Sequence, residues 1–288
     1  MQKKILIISS EYPPGPGGIG NHAFNMAKYF NDSNYLVKVL TISDYCDNKN
    51  ANKFDSKNVF EVLRFKRYKS SIKTYIVRLY QIIKYQRLFK FDLIICSGKF
   101  SLWAGAISTY LWQQKNTVAV VHGSELNPEN FLQKSVTNFS LKTFNKIISV
   151  SRYTQSILPD RLKKKKNQYI IPNGISLEIP IDNKKNENTN KYPNFLTVGS
   201  ITPRKGQANF IKAIPKLLET FPNLHYHCVG NPLYSTSFNT LADELDVRNH
   251  VTFYGILNHK ELMTLYSNSE IVILLSETQS NGDTEGFG

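Results

Sequence analysis

The feature that most limits what this chain can fold into is a rhythm. Short apolar runs rich in β-branched residues alternate with stretches of helical periodicity along most of its length. The runs are residues 3–10, 36–43, 59–65, 92–97, 117–123, 146–151 and 169–174, then 194–200, 223–230, 250–255 and 270–276. Most are continuously apolar, as strands covered on both faces are. The stretch 21–30 predicts a helix with Phe24, Ala27 and Tyr29 near one face, and 71–89 predicts a longer one with Ile72, Ile76, Leu79 and Ile83 inward. Further helices are expected from Gly206 to Thr220 and over 236–246 and 258–267. Strands alternating with helices imply an α/β fold with doubly wound parallel sheets.

The chain has 288 residues, enough for two domains with separate cores. The polar, Asn/Lys-rich stretch 177–193 reads as a linker between domains at 1–176 and 194–288. Two such domains enclose a cleft, and ligands of these sheets sit beyond the carboxyl ends of the strands.

Charge divides along the same line. Residues 1–180 carry 27 lysines and arginines against 11 acidic residues, a balance of +16, while residues 181–288 carry 9 against 11. A basic half is either a solvated surface or a partner for anionic lipid, nucleic acid or a polyanionic substrate. No recognisable nucleic-acid module appears, so nucleic acid is not expected as a partner. No apolar run is long enough to span a bilayer. The opening MQKKILIISSEYPP runs into a Pro/Gly loop with no small-residue cleavage site, and reads as a first strand rather than a leader. Three widely spaced cysteines show no metal or disulfide pattern, which favours a reducing cytoplasm.

Four segments follow strands and carry chemistry. In EYPPGPGGIGNHAF, Gly17, Gly18 and Gly20 precede a helix start, as either a tight turn or an anion or sugar contact. Their spacing is not the dinucleotide G-x-G-x-x-G, which disfavours a nicotinamide oxidoreductase. His122 in VVHGSE ends a strand, either as a hydrogen-bonded structural residue or as a hydroxyl donor or proton carrier. Glu125 orients it or caps the next helix. Arg204 and Lys205 open a helix, where two cations oppose the dipole unless an anion neutralises them. Glu285 lies in the terminal DTEGFG, beside glycines whose amides can reach a ligand.

The order and spacing of these segments, with SVSRYTQSIL, IPNGI, VGSITPRKGQ, HCVGNP and VTFYGILNHKELMTLYSNSEIVILLS, resemble the retaining glycosyltransferases of family four over essentially the whole chain. The resemblance implies a GT-B fold of two Rossmann-like domains. It implies a nucleotide-diphosphate sugar as donor, held mainly by the second domain, no metal or other cofactor, and a glycan or lipid-linked acceptor on the first domain. By resemblance, Arg204 and Lys205 hold the diphosphate, Glu285 binds donor-sugar hydroxyls and His122 contacts the sugar near its reacting carbon. Gly17, Gly18 and Gly20 approach phosphate or acceptor, and Gly230, Gly255 and Leu257, with Gly286, Phe287 and Gly288, complete the donor site. Cell-surface polysaccharide, lipopolysaccharide or glycolipid synthesis is implied, in the cytoplasm or peripherally at the inner membrane face. The basic stretches 64–73 and 161–168 are candidates for anionic lipid. A sugar-nucleotide epimerase of the same architecture, or a non-catalytic acceptor- or membrane-binding fragment, are the alternatives.

Two departures from the family stand out. Many members have an arginine where this chain has Ser200, a charge that Arg204 is expected to replace. The family also pairs the EGFG glutamate with a second one, which would fall at position 293, beyond Gly288. The chain is therefore expected to be cut within the donor site.

Overall fold

The computed structural model describes residues 2–15, 17–43, 46–112, 114, 116–126, 131–163, 167–174, 193–280 and 285. The chain divides into two compact units, one within residues 1–176 and one from 177 onward. The expected linker lies, apart from Pro193, outside the described residues.

The first unit alternates strand and helix. Its strands are β1 (Lys4–Ser9), β2 (Leu36–Ile42), β3 (Glu61–Phe65), β4 (Leu93–Ser97), β5 (Thr117–Val121), β6 (Lys146–Ser149) and β7 (Gln168–Ile170). Between them run α1 (Gly18–Asp32), α2 (Asn48–Asp55), α3 (Ser71–Leu88), α4 (Lys99–Trp112), α5 (Phe131–Thr143), α6 (Arg152–Ser156) and α7 (Asp160–Lys163). The sheet is parallel, in the order β3-β2-β1-β4-β5-β6-β7. β1 is buried from Ile5 onward and β5 throughout, as continuously apolar runs require. The strand order reverses beside β1, and the carboxyl ends of β1 and β4 are where ligands of such sheets collect.

The second unit has β8 (Asn194–Val198), a 3₁₀ turn (Pro203–Lys205), α8 (Gln207–Leu218), β9 (His225–Val229) and α9 (Ser235–Glu244). A second 3₁₀ turn (Arg248–His250), β10 (Val251–Gly255), α10 (His259–Ser267) and β11 (Ile271–Val272) follow. Its parallel sheet runs β10-β9-β8-β11. Phe210, Ile211 and Ile214 of α8 pack on Tyr226 and Cys228 of β9 in its core.

Two helical faces differ from the sequence expectation. α1 buries Gly20, Ala23 and Ala27, small residues that let it lie close to the sheet, while Tyr29 is 69% exposed. α3 buries Thr74, Arg78 and Ile82; Ile72 and Ile76 remain 73% and 62% exposed. Thr74 sets this rotation. Its hydroxyl accepts from the Tyr68 N–H at 2.9 Å and reaches the Ser70 carbonyl at 2.9 Å, tying that face to the incoming loop. α4 gave no periodic signal because it is apolar nearly all round, with Leu102, Ala104 and Ala106 buried. The run expected as a strand over 270–276 pairs only at Ile271 and Val272, both exposed.

Arg64 was a candidate lipid contact and is instead internal. Its guanidinium pairs bidentately with Asp55 at 2.7 and 2.9 Å and donates to the Pro13 carbonyl. It thereby holds β3, α2 and the glycine-rich turn together. In the other stretch, residues 164–166 lie outside the described residues and Lys163 pairs with Asp160 at 3.0 Å. Among the described residues no helix is long and apolar enough to cross a membrane.

Candidate functional site

In the first unit the segments after β1 and β5 converge. Gly17 precedes α1, with a positive φ of 139°, Gly18 opens the helix on an exposed face, and Gly20 is buried in its first turn. A Cβ on Gly20 would lie 2.9 Å from the Tyr12 amide nitrogen, so only glycine fits that approach. The start of this helix already has an anion. Glu11 accepts a hydrogen bond from the Gly20 N–H, and its carboxylate fills the space a side chain on Gly17 would need. The amides therefore face an internal carboxylate rather than an open anion seat.

His122 is half-buried after β5. Its Nε2 is 3.0 Å from Ser97 Oγ, and the His22 ring stands edge-on to it at 5.2 Å. Burial, helped by His22, pushes its pKa down to about 3. It is neutral at physiological pH and acts as a hydrogen-bonding group. Glu125 does not touch the ring. Its Oε1 accepts from the His122 backbone N–H at 2.7 Å, fixing the turn. Burial raises the pKa of Glu125 and of Glu11, and the nearby Glu125 carboxylate raises that of Glu11 further. Sequence reasoning missed Glu11, His22 and Ser97. The signal for Ser97 was its place at the end of β4, next to β5 in the sheet.

In the second unit the carboxyl ends of three strands are laced together. Gly199 N–H donates to the Val229 carbonyl and Gly230 N–H to the Gly255 carbonyl, each at 2.8 Å. Gly230 has a φ of 149°, and a Cβ there would overlap the Gly199 carbonyl oxygen. Glycine is therefore obligatory for that contact. Gly255 has a φ of 68° with open space beside it, and Leu257 is half-buried just beyond.

The cation pair stands at this edge. Lys205 lays its aliphatic arm across Gly199, its Cε 3.4 Å from where a Cβ would be. Lys205 Nζ lies 2.6 Å from Glu285 Oε2, and Arg204 Nη1 pairs with the same oxygen. The structure thus brings Glu285 onto a cation pair, Arg204 lying 81 positions earlier in the sequence. The extended segment before Glu285 is stitched to the turn: Glu277 N–H donates to the Arg204 carbonyl at 3.0 Å. The Ser200 carbonyl accepts from Gln207 Nε2 at 3.1 Å, a buried contact that no motif announced. Gly286, Phe287 and Gly288 lie outside the described residues.

Known proteins give this geometry a context. The family model "Glycosyltransferase Family 4" matches residues 16–179, and "Glycosyl transferases group 1" matches residues 178–288. A GDP-mannose-dependent monoacylated alpha-(1-6)-phosphatidylinositol monomannoside mannosyltransferase of Corynebacterium glutamicum is 23% identical over 303 residues, covering 99% of this chain and 76% of its own length. The crystal structure of Anabaena Alr3699/HepE in complex with UDP and glucose superposes with a TM-score of 0.73 at 19% identity, covering 96% of this chain and 74% of that one. WaaG, a glycosyltransferase involved in lipopolysaccharide biosynthesis, superposes with a TM-score of 0.64 at 16% identity, covering 96% of this chain and 75% of that one. These neighbours show the fold to be α/β with parallel sheets of the GT-B kind. The first model alone matches more than half of the residues, and the chain belongs to glycosyltransferase family 4.

Proposed function

We propose that this chain transfers a hexosyl group from a nucleotide-diphosphate sugar to a glycan or lipid-linked acceptor, with retention of anomeric configuration, in cell-surface polysaccharide or glycolipid synthesis. The observation that carries the reading is the meeting of Arg204, Lys205 and Glu285 at the glycine-lined edge of the second sheet. Glu285 pairs with both cations. A donor diphosphate would take them instead, and free Glu285 to accept from the sugar's hydroxyls.

Arg204 and Lys205 then stabilise the charge that develops on the departing diphosphate. The bond between the anomeric carbon and the phosphate oxygen breaks. The acceptor oxygen bonds to that carbon on the same face, and its proton passes to the leaving phosphate. No metal is required. His122, neutral in this setting, supplies a hydrogen bond to a hydroxyl near the reacting carbon. Gly17, Gly18 and Gly20 contribute backbone near the acceptor; Gly230, Gly255 and Leu257 line the approach of the nucleoside. The Corynebacterium relative, named for a phosphatidylinositol monomannoside acceptor, and WaaG, named for lipopolysaccharide biosynthesis, support a lipid-linked acceptor.

The test is transfer from GDP-mannose and UDP-glucose to lipid acceptors, with the product's anomeric configuration read by NMR. Lys205→Met and Glu285→Gln are expected to abolish transfer. Wild-type turnover in both variants rejects the donor site, and an inverted product rejects retention.

A further inference from the structure

Resting on that reading for the reaction, we infer that the first unit carries an acceptor pocket built for a ring-bearing phosphoester: a sugar or polyol ring whose phosphate is gripped by Arg67, Arg78 and Lys99. A cavity of about 440 Å³ opens in this unit, within the range of small-ligand sites. Two groupings of residues share its wall.

The first grouping is Ser10, Glu11, Ser124 and Glu125, from the segments that follow β1 and β5. These groups hydrogen-bond to hydroxyls. Burial raises both carboxyl pKa values, which weakens the anionic field that an incoming phosphate meets.

The second grouping is cationic and aromatic. Arg67 comes from the loop after β3, Arg78 from α3 and Lys99 from the start of α4. Arg78 is only 5% exposed, with Nη2 3.5 Å from the Phe65 carbonyl. That contact helps fix the guanidinium in the cavity wall, and a guanidinium fork matches phosphate oxygens. Beside these cations stand rings. Tyr75 lies 5.3 Å from Phe100 and 6.5 Å from Trp103, centroid to centroid, and Lys99 Nζ is 5.6 Å from the Trp103 ring. The Trp103 indole N–H donates to Thr137 Oγ1 at 3.0 Å, which fixes the ring in place. Aromatic faces take the C–H face of a sugar ring, and the adjoining cations take its phosphate. Neither an uncharged glycan nor a bare anion would use both groupings.

The phosphoester can belong to a soluble sugar phosphate or to a lipid headgroup. On α3, Ile72 and Ile76 flank Tyr75 and are exposed, an apolar margin suited to the acyl side of a headgroup.

The experiment is calorimetric titration of the chain with glucose 1-phosphate, methyl glucoside, inorganic phosphate and vesicles of phosphatidylinositol or phosphatidylcholine. Glucose 1-phosphate is expected to bind about ten-fold tighter than either methyl glucoside or inorganic phosphate, and Arg67→Gln and Lys99→Gln each to lose about ten-fold. Competition by phosphatidylinositol vesicles assigns the lipid source, and glucose 1-phosphate binding without it assigns the soluble one. Equal binding of methyl glucoside, or unchanged affinity in both variants, overturns the pocket. UDP titration of the same two variants reports the second unit and is expected to be unchanged. Binding that responds to Arg67→Gln while Lys205→Met leaves transfer intact would keep this pocket and reject the donor site.

Discussion

The carboxyl edges of the two sheets treat charge in opposite ways. At the first, the titratable groups are pushed toward their neutral forms: His22 and His122 downward, Glu11 and Glu125 upward, all chiefly by burial. At the second, Arg204, Lys205 and Glu285 sit part-exposed in direct ion pairs. One edge presents hydrogen-bonding groups of reduced charge, the other a cluster of charges in ion pairs. The same strand-loop-helix grammar therefore yields two different chemistries, decided by what fills the helix start. Glu11 occupies it in the first unit, and a pair of cations precedes it in the second.

The contrast can be broken most forcefully at Lys205. Lys205→Met removes the cation that the proposed function sets on the leaving group, and is expected to lower transfer by about a hundred-fold or more, some 3 kcal/mol or above. Steady-state rates with saturating donor check this; a loss confined to KM would place Lys205 in ground-state binding alone. Next comes Gly230→Ala. The added carbon meets the Gly199 carbonyl at a φ that disfavours side chains, for an expected loss of about 2–3 kcal/mol in urea unfolding.

A smaller effect sharpens the first edge. His122 has a folded pKa lowered to about 3, so its contribution is complete above the unfolded value and is lost as pH falls. Between pH 6.5 and pH 5 the wild type should lose about 1.5 kcal/mol through this group, a loss absent in His122→Asn. His22 adds to the same limb. Glu11 and Glu125 work in reverse: their raised pKa values give stability that is full below the unfolded value and fades as pH rises. Glu11→Gln should therefore flatten the opposing slope, and urea midpoints across this pH range for the single variants separate the two. The smallest expected effect is none at all: transfer should survive EDTA, and a loss restored by magnesium would overturn the metal-free mechanism.

Strand positions were most legible where a strand is buried on both faces and so apolar along its length, as β1 and β5 are, while the edge strands β3, β7 and β11 are partly exposed. Rotation of the helices was less legible. In α3 the stripe of Ile72, Ile76, Leu79 and Ile83 holds in part: Leu79 packs on the core and Ile83 is half-buried, but Ile72 and Ile76 are exposed. The fully buried positions are Thr74, tied to the backbone of Tyr68 and Ser70, with Arg78 and Ile82. α4 was silent because burial on several sides erases periodicity. Of the site, Arg204, Lys205 and Glu285 stood out as charges beside glycines. Glu11, His22 and Ser97 did not, since their roles come from strand adjacency across long sequence separations. Arg64 shows the reverse error: a charge in a basic run that the fold draws inward to Asp55.

Gly206 has a further consequence. It sits at a φ of 74°, so close to the Leu275 carbonyl that one added carbon would overlap it. The turn bearing both cations and the extended segment leading toward Glu285 are therefore interlocked and cannot slide past each other. The charge trio stands beside this interlock, with Arg204 and Lys205 on the turn itself. Under the proposed function, a donor diphosphate would exchange ion-pair partners at a turn whose backbone is already fixed in place.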